Sequence, residues 1–221
     1  MKEPTDLPIL YSLRNCPYAM RARFGIFKSK QQVILRDIVL SNKPDEMIAA
    51  SPKGEVPTLV VSPSLVIDQS LEVMLWALNK SDPNDLLHSN NEEALPLMLK
   101  LIEDFDIGFK AAFDKYSAAK RYHDDNVEQY RQDCEIYIND LEQRLNTHAF
   151  LMSENESLAD IALISFIRKF AKVERKWYLQ SPYPKVRAWL NSYLQSALFS
   201  KVMKEYPLWL ESKEVIIFGD K

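Results

Sequence analysis

Strand-forming patterns are confined to the first 80 residues of this 221-residue chain, and helical spacing takes over almost everything after them. That asymmetry restricts the fold to a small α/β domain followed by an all-helical one. Leu7 to Leu13 is a short apolar run of β-compatible residues, stopped at Cys16-Pro17. From Pro17 to Lys30 the apolar residues Met20, Phe24 and Phe27 recur at spacings of three and four, which predicts a helix. Pro17 suits its first turn, where a missing N–H costs nothing. Gln32 to Val39 alternates and reads as a strand, and Lys43 to Ala50 reads as a short helix. After the turn Ser51-Pro52-Lys53-Gly54-Glu55, two strands, Val56–Val61 and Leu65–Ile67, form a hairpin. Asp68 or Ser70 is expected to cap a helix that runs to about Leu78.

The segment Ser81-Asp82-Pro83-Asn84-Asp85 is turn-rich and reads as a linker. Beyond it, 91–119, 124–148, 157–174 and 183–204 carry helical spacing, with Pro96 early in the first of them. Ser157-Leu158-Ala159-Asp160 has the pattern of a capping box. The apolar tail Val215–Phe218 is too short for a domain and is expected to pack on the body. The expected division is therefore 1–80, a linker at 81–90, and a helical domain at 91–221.

Composition removes several function classes. Lys+Arg 28 against Asp+Glu 31 leaves a formal charge of -3, without the clustered cations that nucleic-acid phosphates need. No apolar run reaches the roughly 18 residues of a membrane span, and the polar start Met1-Lys2-Glu3-Pro4-Thr5-Asp6 lacks the apolar core of a secretory signal. Two cysteines make neither a disulfide framework nor a four-thiolate zinc site, and His88, His123 and His148 have no ligand spacing, so no metal is expected. The expectation is a reduced, cytoplasmic protein.

Cys16 is the sharpest chemical feature. It lies between a strand and a helix, where unpaired backbone N–H groups and the helix dipole suit an anionic sulfur. Arg14, Arg21 and Arg23 are expected to add positive charge nearby. Ala19 stands where a C-x-x-C motif would carry its resolving cysteine, so a mixed disulfide at Cys16 needs a second thiol from solution. Cys134 falls inside a helical pattern and reads as packing, as does Tyr11 in its strand. Val56-Pro57, a proline opening a strand, is a candidate cis peptide, which would turn the Val56 backbone toward an extended ligand. Gln69-Ser70 at a helix start offers a carboxylate site or a simple cap.

Taken together, Cys16-Pro17-Tyr18-Ala19-Met20-Arg21, Asn42-Lys43-Pro44, Val56-Pro57, Asp68-Gln69-Ser70 and Ser157-Leu158-Ala159-Asp160-Ile161-Ala162-Leu163 resemble the soluble glutathione transferase family. The cysteine-type, omega-like branch and its bacterial relatives look most similar. The resemblance implies a thioredoxin-like N-terminal domain, a helical-bundle C-terminal domain, glutathione as co-substrate and a homodimer. It implies Cys16 as the catalytic thiol, Lys43 on the glycine carboxylate of glutathione, and the Val56 backbone on the cysteinyl amide with Pro57 cis. Gln69 and Ser70 would hold the γ-glutamyl end; many relatives carry Glu where Gln69 stands, and Gln keeps the hydrogen bonds but removes a negative charge near the ligand's ammonium. Arg168 and Trp177 are candidates for lining a second-substrate groove between the domains.

The expected function is a glutathione-dependent thiol transferase or reductase acting on protein–glutathione disulfides, dehydroascorbate-like oxidants or glutathionyl adducts. The alternatives are conjugation of glutathione to small electrophiles, or a non-catalytic interaction module of the same fold. No nucleic acid and no membrane is expected as a partner.

Overall fold

The structure is a computed structural model that describes residues 6–219. All of the polar N-terminal hexapeptide except Asp6 lies outside the described residues. The chain divides into two units, Met1–Asn84 together with Ser196–Lys221, and Asp85–Gln195.

In the first unit, β1 (Ile9–Ser12), α1 (Pro17–Lys28), β2 (Val33–Asp37), α2 (Asp45–Ala50), β3 (Thr58–Ser62), β4 (Leu65–Ile67) and α3 (Ser70–Lys80) follow in the order the sequence predicts. The sheet order is β4-β3-β1-β2 with one further strand outside β2. Strands β1 and β2 are parallel, with Leu10 beside Leu35; β3 is antiparallel to β1, with Leu10 beside Leu59. This is the thioredoxin-like domain. Helices α1 and α3 pack closely at Gly25, where a Cβ would come within 2.9 Å of the Met74 Cα, so glycine permits that approach.

The fifth strand, β5 (Ile216–Phe218), comes from the tail and pairs antiparallel with β2, Ile217 beside Ile34. The expected helical domain at 91–221 is thereby corrected. Ser196 accepts from the Phe199 backbone N–H at 3.0 Å and starts a new helix, α10 (Ala197–Val202), so the predicted 183–204 helix breaks there. From Ser196 onward the chain belongs to the α/β unit. The reason is a free edge on β2 and apolar side chains to match it: Phe218 is buried edge-on to Phe27 at 4.6 Å. A short α11 (Trp209–Ser212) precedes the strand, and Trp209 lies beneath the Arg36 guanidinium at 3.9 Å.

The fully buried Arg23 ties these parts together. It donates to Ser12 Oγ at 2.8 Å, Asp37 Oδ1 at 2.8 Å and the Val202 carbonyl at 3.3 Å. Burial works against both charges, lowering the Arg23 pKa and raising that of Asp37, and their contact opposes both shifts.

The second unit holds α4 (Ala94–Asp104), a π-helical turn at Phe105–Phe109, α5 (Lys110–Tyr122), α6 (Val127–Thr147), α7 (Leu158–Val173), α8 (Arg175–Gln180) and α9 (Pro184–Leu194). Pro96 falls in the first turn of α4, where its missing N–H costs no helical bond. The π turn interrupts the predicted 91–119 helix inside an aromatic cluster, with Phe105, Phe109 and Phe113 ring to ring at 4.9 and 5.8 Å. The expected linker at 81–90 is shorter than predicted, because Leu86 is buried and its carbonyl accepts from Leu158 N at 2.8 Å within this unit.

The predicted capping box opens α7, and the buried Asp160 does more than cap. Its Oδ2 accepts from Ser157 N and Ser157 Oγ, at 3.0 and 2.7 Å. Its Oδ1 accepts from Leu151 N and Trp189 Nε1, both at 3.0 Å. Likewise Glu142 on α6, unremarked in the sequence, accepts from Lys185 N and Val186 N at 3.0 and 2.8 Å and caps α9.

Candidate active site

Cys16 is the N-cap residue of α1 with extended backbone, and Pro17 follows in the first turn. Its thiol is half-buried and free. No side-chain capping bond forms; Sγ instead lies 3.9 Å from the Val56 carbonyl oxygen, to which the thiol donates. The side chain packs on a cluster of Tyr11, Ala19, Ile38, Met47 and Val56, none of which carries an imidazole or a carboxylate. The Val56–Pro57 peptide bond is cis.

The three arginines expected to add positive charge near Cys16 are each engaged by another group. Arg23 is engaged by Asp37, Arg14 pairs with Glu205 at 2.9 Å, and Arg21 is fully buried with its guanidinium 5.6 Å from the Tyr18 ring centroid. Tyr11 is strand packing, buried and accepting from Arg36 at 2.7 Å. Cys134 is also buried, and burial pushes its thiol up to about 12.

Lys43 precedes α2, and its side chain crosses Gly54 in the loop that leads to Val56. A Cβ on Gly54 would meet Lys43 Nζ at 3.1 Å and Ile48 Cδ1 at 2.8 Å, and the backbone there has φ +58, so only glycine suits the position. Gln69 is the N-cap residue of α3, exposed and making no side-chain cap bond, and the buried Ser70 is the first helical residue. The expected cap at Asp68 or Ser70 is therefore corrected.

Asp68 faces the other way. Its carboxylate accepts from Ser51 Oγ at 2.8 Å and Lys53 Nζ at 2.9 Å, fastening the Ser51–Gly54 turn to the start of α3. These bonds, Lys53 first, hold its carboxyl below the ordinary range. Asp68→Ala is expected to cost about 1 kcal/mol at pH 7. The stabilisation is present above the unfolded pKa near 3.9 and is lost as pH falls through the lower folded value. Thermal melts should show the gap between wild type and variant narrowing below about pH 4; a gap that stays constant would contradict this role.

Arg168 and Trp177 belong to the helical unit, each in a different setting. Arg168, on α7, lines a cavity of the helical unit. Trp177, on α8, stacks on Arg131 at 4.4 Å beside Glu174, which accepts from Tyr116, Lys120 and Arg131. Among the described residues no group of His, Cys, Asp or Glu has the arrangement of a metal site, and no helix is long and apolar enough to cross a membrane.

Two family models match the sequence: the N-terminal domain of glutathione S-transferase over residues 10–85 and its C-terminal domain over residues 124–192. This chain belongs to the glutathione S-transferase family. No curated protein matches it significantly. Among solved structures, a glutathione S-transferase-I bound with lactoylglutathione is 20% identical over 89% of this chain and 98% of its own, with TM-score 0.74. A glutathione transferase family member from Pseudomonas fluorescens with two glutathione bound is 16% identical over 90% and 92%, with TM-score 0.77. A delta-class glutathione transferase from Nilaparvata lugens is 18% identical over 89% and 92%, with TM-score 0.75. These likenesses speak for the transferase fold.

Proposed function

We propose that this glutathione transferase works as a monothiol transferase of the cysteine type, with Cys16 as nucleophile. The observation that supports this reading is a free, half-buried cysteine at the start of α1 with the buried Ala19, and no second thiol, one turn further on. The Cys16 thiolate attacks a glutathione mixed disulfide. The Cys16–S–S–glutathione bond forms, the original S–S bond breaks, and the released thiolate takes a proton from solvent. Free glutathione then attacks this adduct, leaving oxidised glutathione and the Cys16 thiolate. In this reading Lys43 binds the glycine carboxylate, the Val56 backbone meets the cysteinyl amide beside Pro57, and Gln69 and Ser70 hold the γ-glutamyl end.

Intact mass after treatment with oxidised glutathione tests the proposal. One glutathione adduct is expected on wild type and none on Cys16→Ala, since the buried Cys134 is kept as an unreactive thiol. A folded wild type that binds glutathione and takes up no adduct would overturn it in favour of conjugation.

A further inference from the structure

Three residues of the returning tail reach the stretch of chain that delivers Cys16, all within the α/β unit. Glu205 pairs at 2.9 Å with Arg14, which lies two residues before Cys16. The Val202 carbonyl accepts from Arg23, which also donates to Ser12 Oγ. Trp209, buried at the start of α11, meets the Tyr11 ring edge-on, with centroids 6.4 Å apart. Tyr11 belongs to the cluster on which the Cys16 side chain packs, and the Cys16 backbone N–H donates to the Leu13 carbonyl at 3.0 Å. The thiol therefore hangs from the end of β1 by one tight turn, supported by a cluster that includes the Tyr11 ring.

Pairing with β2 involves only Ile216–Phe218 and does not account for how Trp209 is held. Arg36 stands opposite Tyr11 in the parallel β1–β2 register, so both side chains leave the sheet on one face. There the Arg36 guanidinium donates to the Tyr11 hydroxyl at 2.7 Å and lies over the Trp209 ring at 3.9 Å. The Lys213 ammonium lies 3.7 Å from the same ring. Two cations that close to one ring cannot share a face without colliding, so the indole is clasped between them. Lys213 is held at φ +51, in the left-handed region that side chains disfavour, and its backbone N–H donates to the Trp209 carbonyl at 2.9 Å. A strained, two-sided hold on one tail residue is more than covering a strand edge requires.

We propose that Trp209 is a positioning residue for the Cys16 thiol. It fixes the Arg36 guanidinium, Arg36 fixes the Tyr11 hydroxyl, and the Tyr11 ring then restricts the directions open to Cys16 Sγ. This rests on the reading of Cys16 as the nucleophile, with Trp209 acting on it through β1.

Full-length Trp209→Ala, Trp209→Phe and Tyr11→Phe test this with two readouts. One is steady-state turnover of the mixed disulfide of glutathione and 2-mercaptoethanol; the other is iodoacetamide alkylation of Cys16, followed by peptide mass. Trp209→Ala is expected to lower kcat by about tenfold while KM for the disulfide stays within about twofold, because the thiol is misdirected and the glutathione contacts remain. Cys16 should alkylate about threefold faster or more, since a released side chain is open to a small reagent, with the buried Cys134 still unmodified. Trp209→Phe, which keeps a ring for Arg36, should bring both readouts to within about twofold of wild type. Tyr11→Phe, which removes only the hydroxyl, should move both in the directions of Trp209→Ala by about threefold. Circular dichroism should match wild type throughout. Wild-type kcat and alkylation in Trp209→Ala, or no recovery in Trp209→Phe, would overturn the proposal. If Trp209→Ala does not fold, unchanged readouts in Tyr11→Phe would do the same. If wild type turns over no mixed disulfide, the nucleophile reading fails, and the alkylation rates by themselves decide whether Trp209 positions the thiol.

Discussion

Cys16→Ser is expected to lower turnover of a glutathione mixed disulfide by at least about a hundredfold while leaving the melting temperature essentially unchanged. The substitution is nearly isosteric and touches a half-buried position whose side chain, among the described residues, makes one weak polar contact, to the Val56 carbonyl. The chemical difference is large. A thiol yields an appreciable thiolate near neutral pH, whereas a hydroxyl needs an adjacent base. The apolar cluster on which Cys16 packs, Tyr11, Ala19, Ile38, Met47 and Val56, supplies no such base. The same variant should keep any conjugating activity toward a small electrophile, because a hydroxyl can donate to a bound glutathione thiolate without forming a disulfide. Parallel assays of reduction and conjugation separate the two chemistries. Equal loss of both, or loss of neither, would remove Cys16 from the proposed role.

Asp160→Ala is expected to destabilise the protein by about 3–5 kcal/mol, beyond the roughly 0.5–2 kcal/mol of an ordinary lost cap. The excess comes from partners outside the capping box. Removing the carboxylate strands the backbone N–H groups of Ser157 and Leu151 and the Trp189 indole N–H in a buried setting. Burial raises the Asp160 pKa, and the four donors restrain that rise. Ser157→Ala, which removes the cap's own hydroxyl and leaves three of the four bonds to Asp160, should cost only about 1 kcal/mol. Denaturant melts of the two variants provide the comparison. Equal losses would show that Asp160 acts as a cap alone.

The two predictions differ in how much of them the sequence carries. Cys16 at a strand–helix junction is legible because Pro17 and the spacing of Met20, Phe24 and Phe27 fix the helix start locally. The order from β1 to α3 and the Ser157–Asp160 box come from equally short stretches of chain. Each rests on backbone preference or on side chains a few residues apart, which is the range over which periodicity and capping patterns act. The helical character of the second unit followed from apolar spacing, and the thioredoxin-like topology of the first followed from the ordered set of family motifs.

What the tertiary structure decided is the pairing of residues far apart. Arg23, Asp37 and Val202 look like three unrelated residues in sequence, and only the fold makes them one buried arrangement. The tail carries too little apolar sequence to announce its position. It became β5 because β2 presented an unpaired edge, whose N–H and C=O groups gain partners when Ile216–Phe218 lies against them. Asp68 has the sequence look of a helix cap, and the fold gave it Ser51 and Lys53 instead. Local sequence sets which elements form and where they start. Hydrogen-bond and charge satisfaction of buried groups depends on three-dimensional neighbours, and those exist only once the elements have packed.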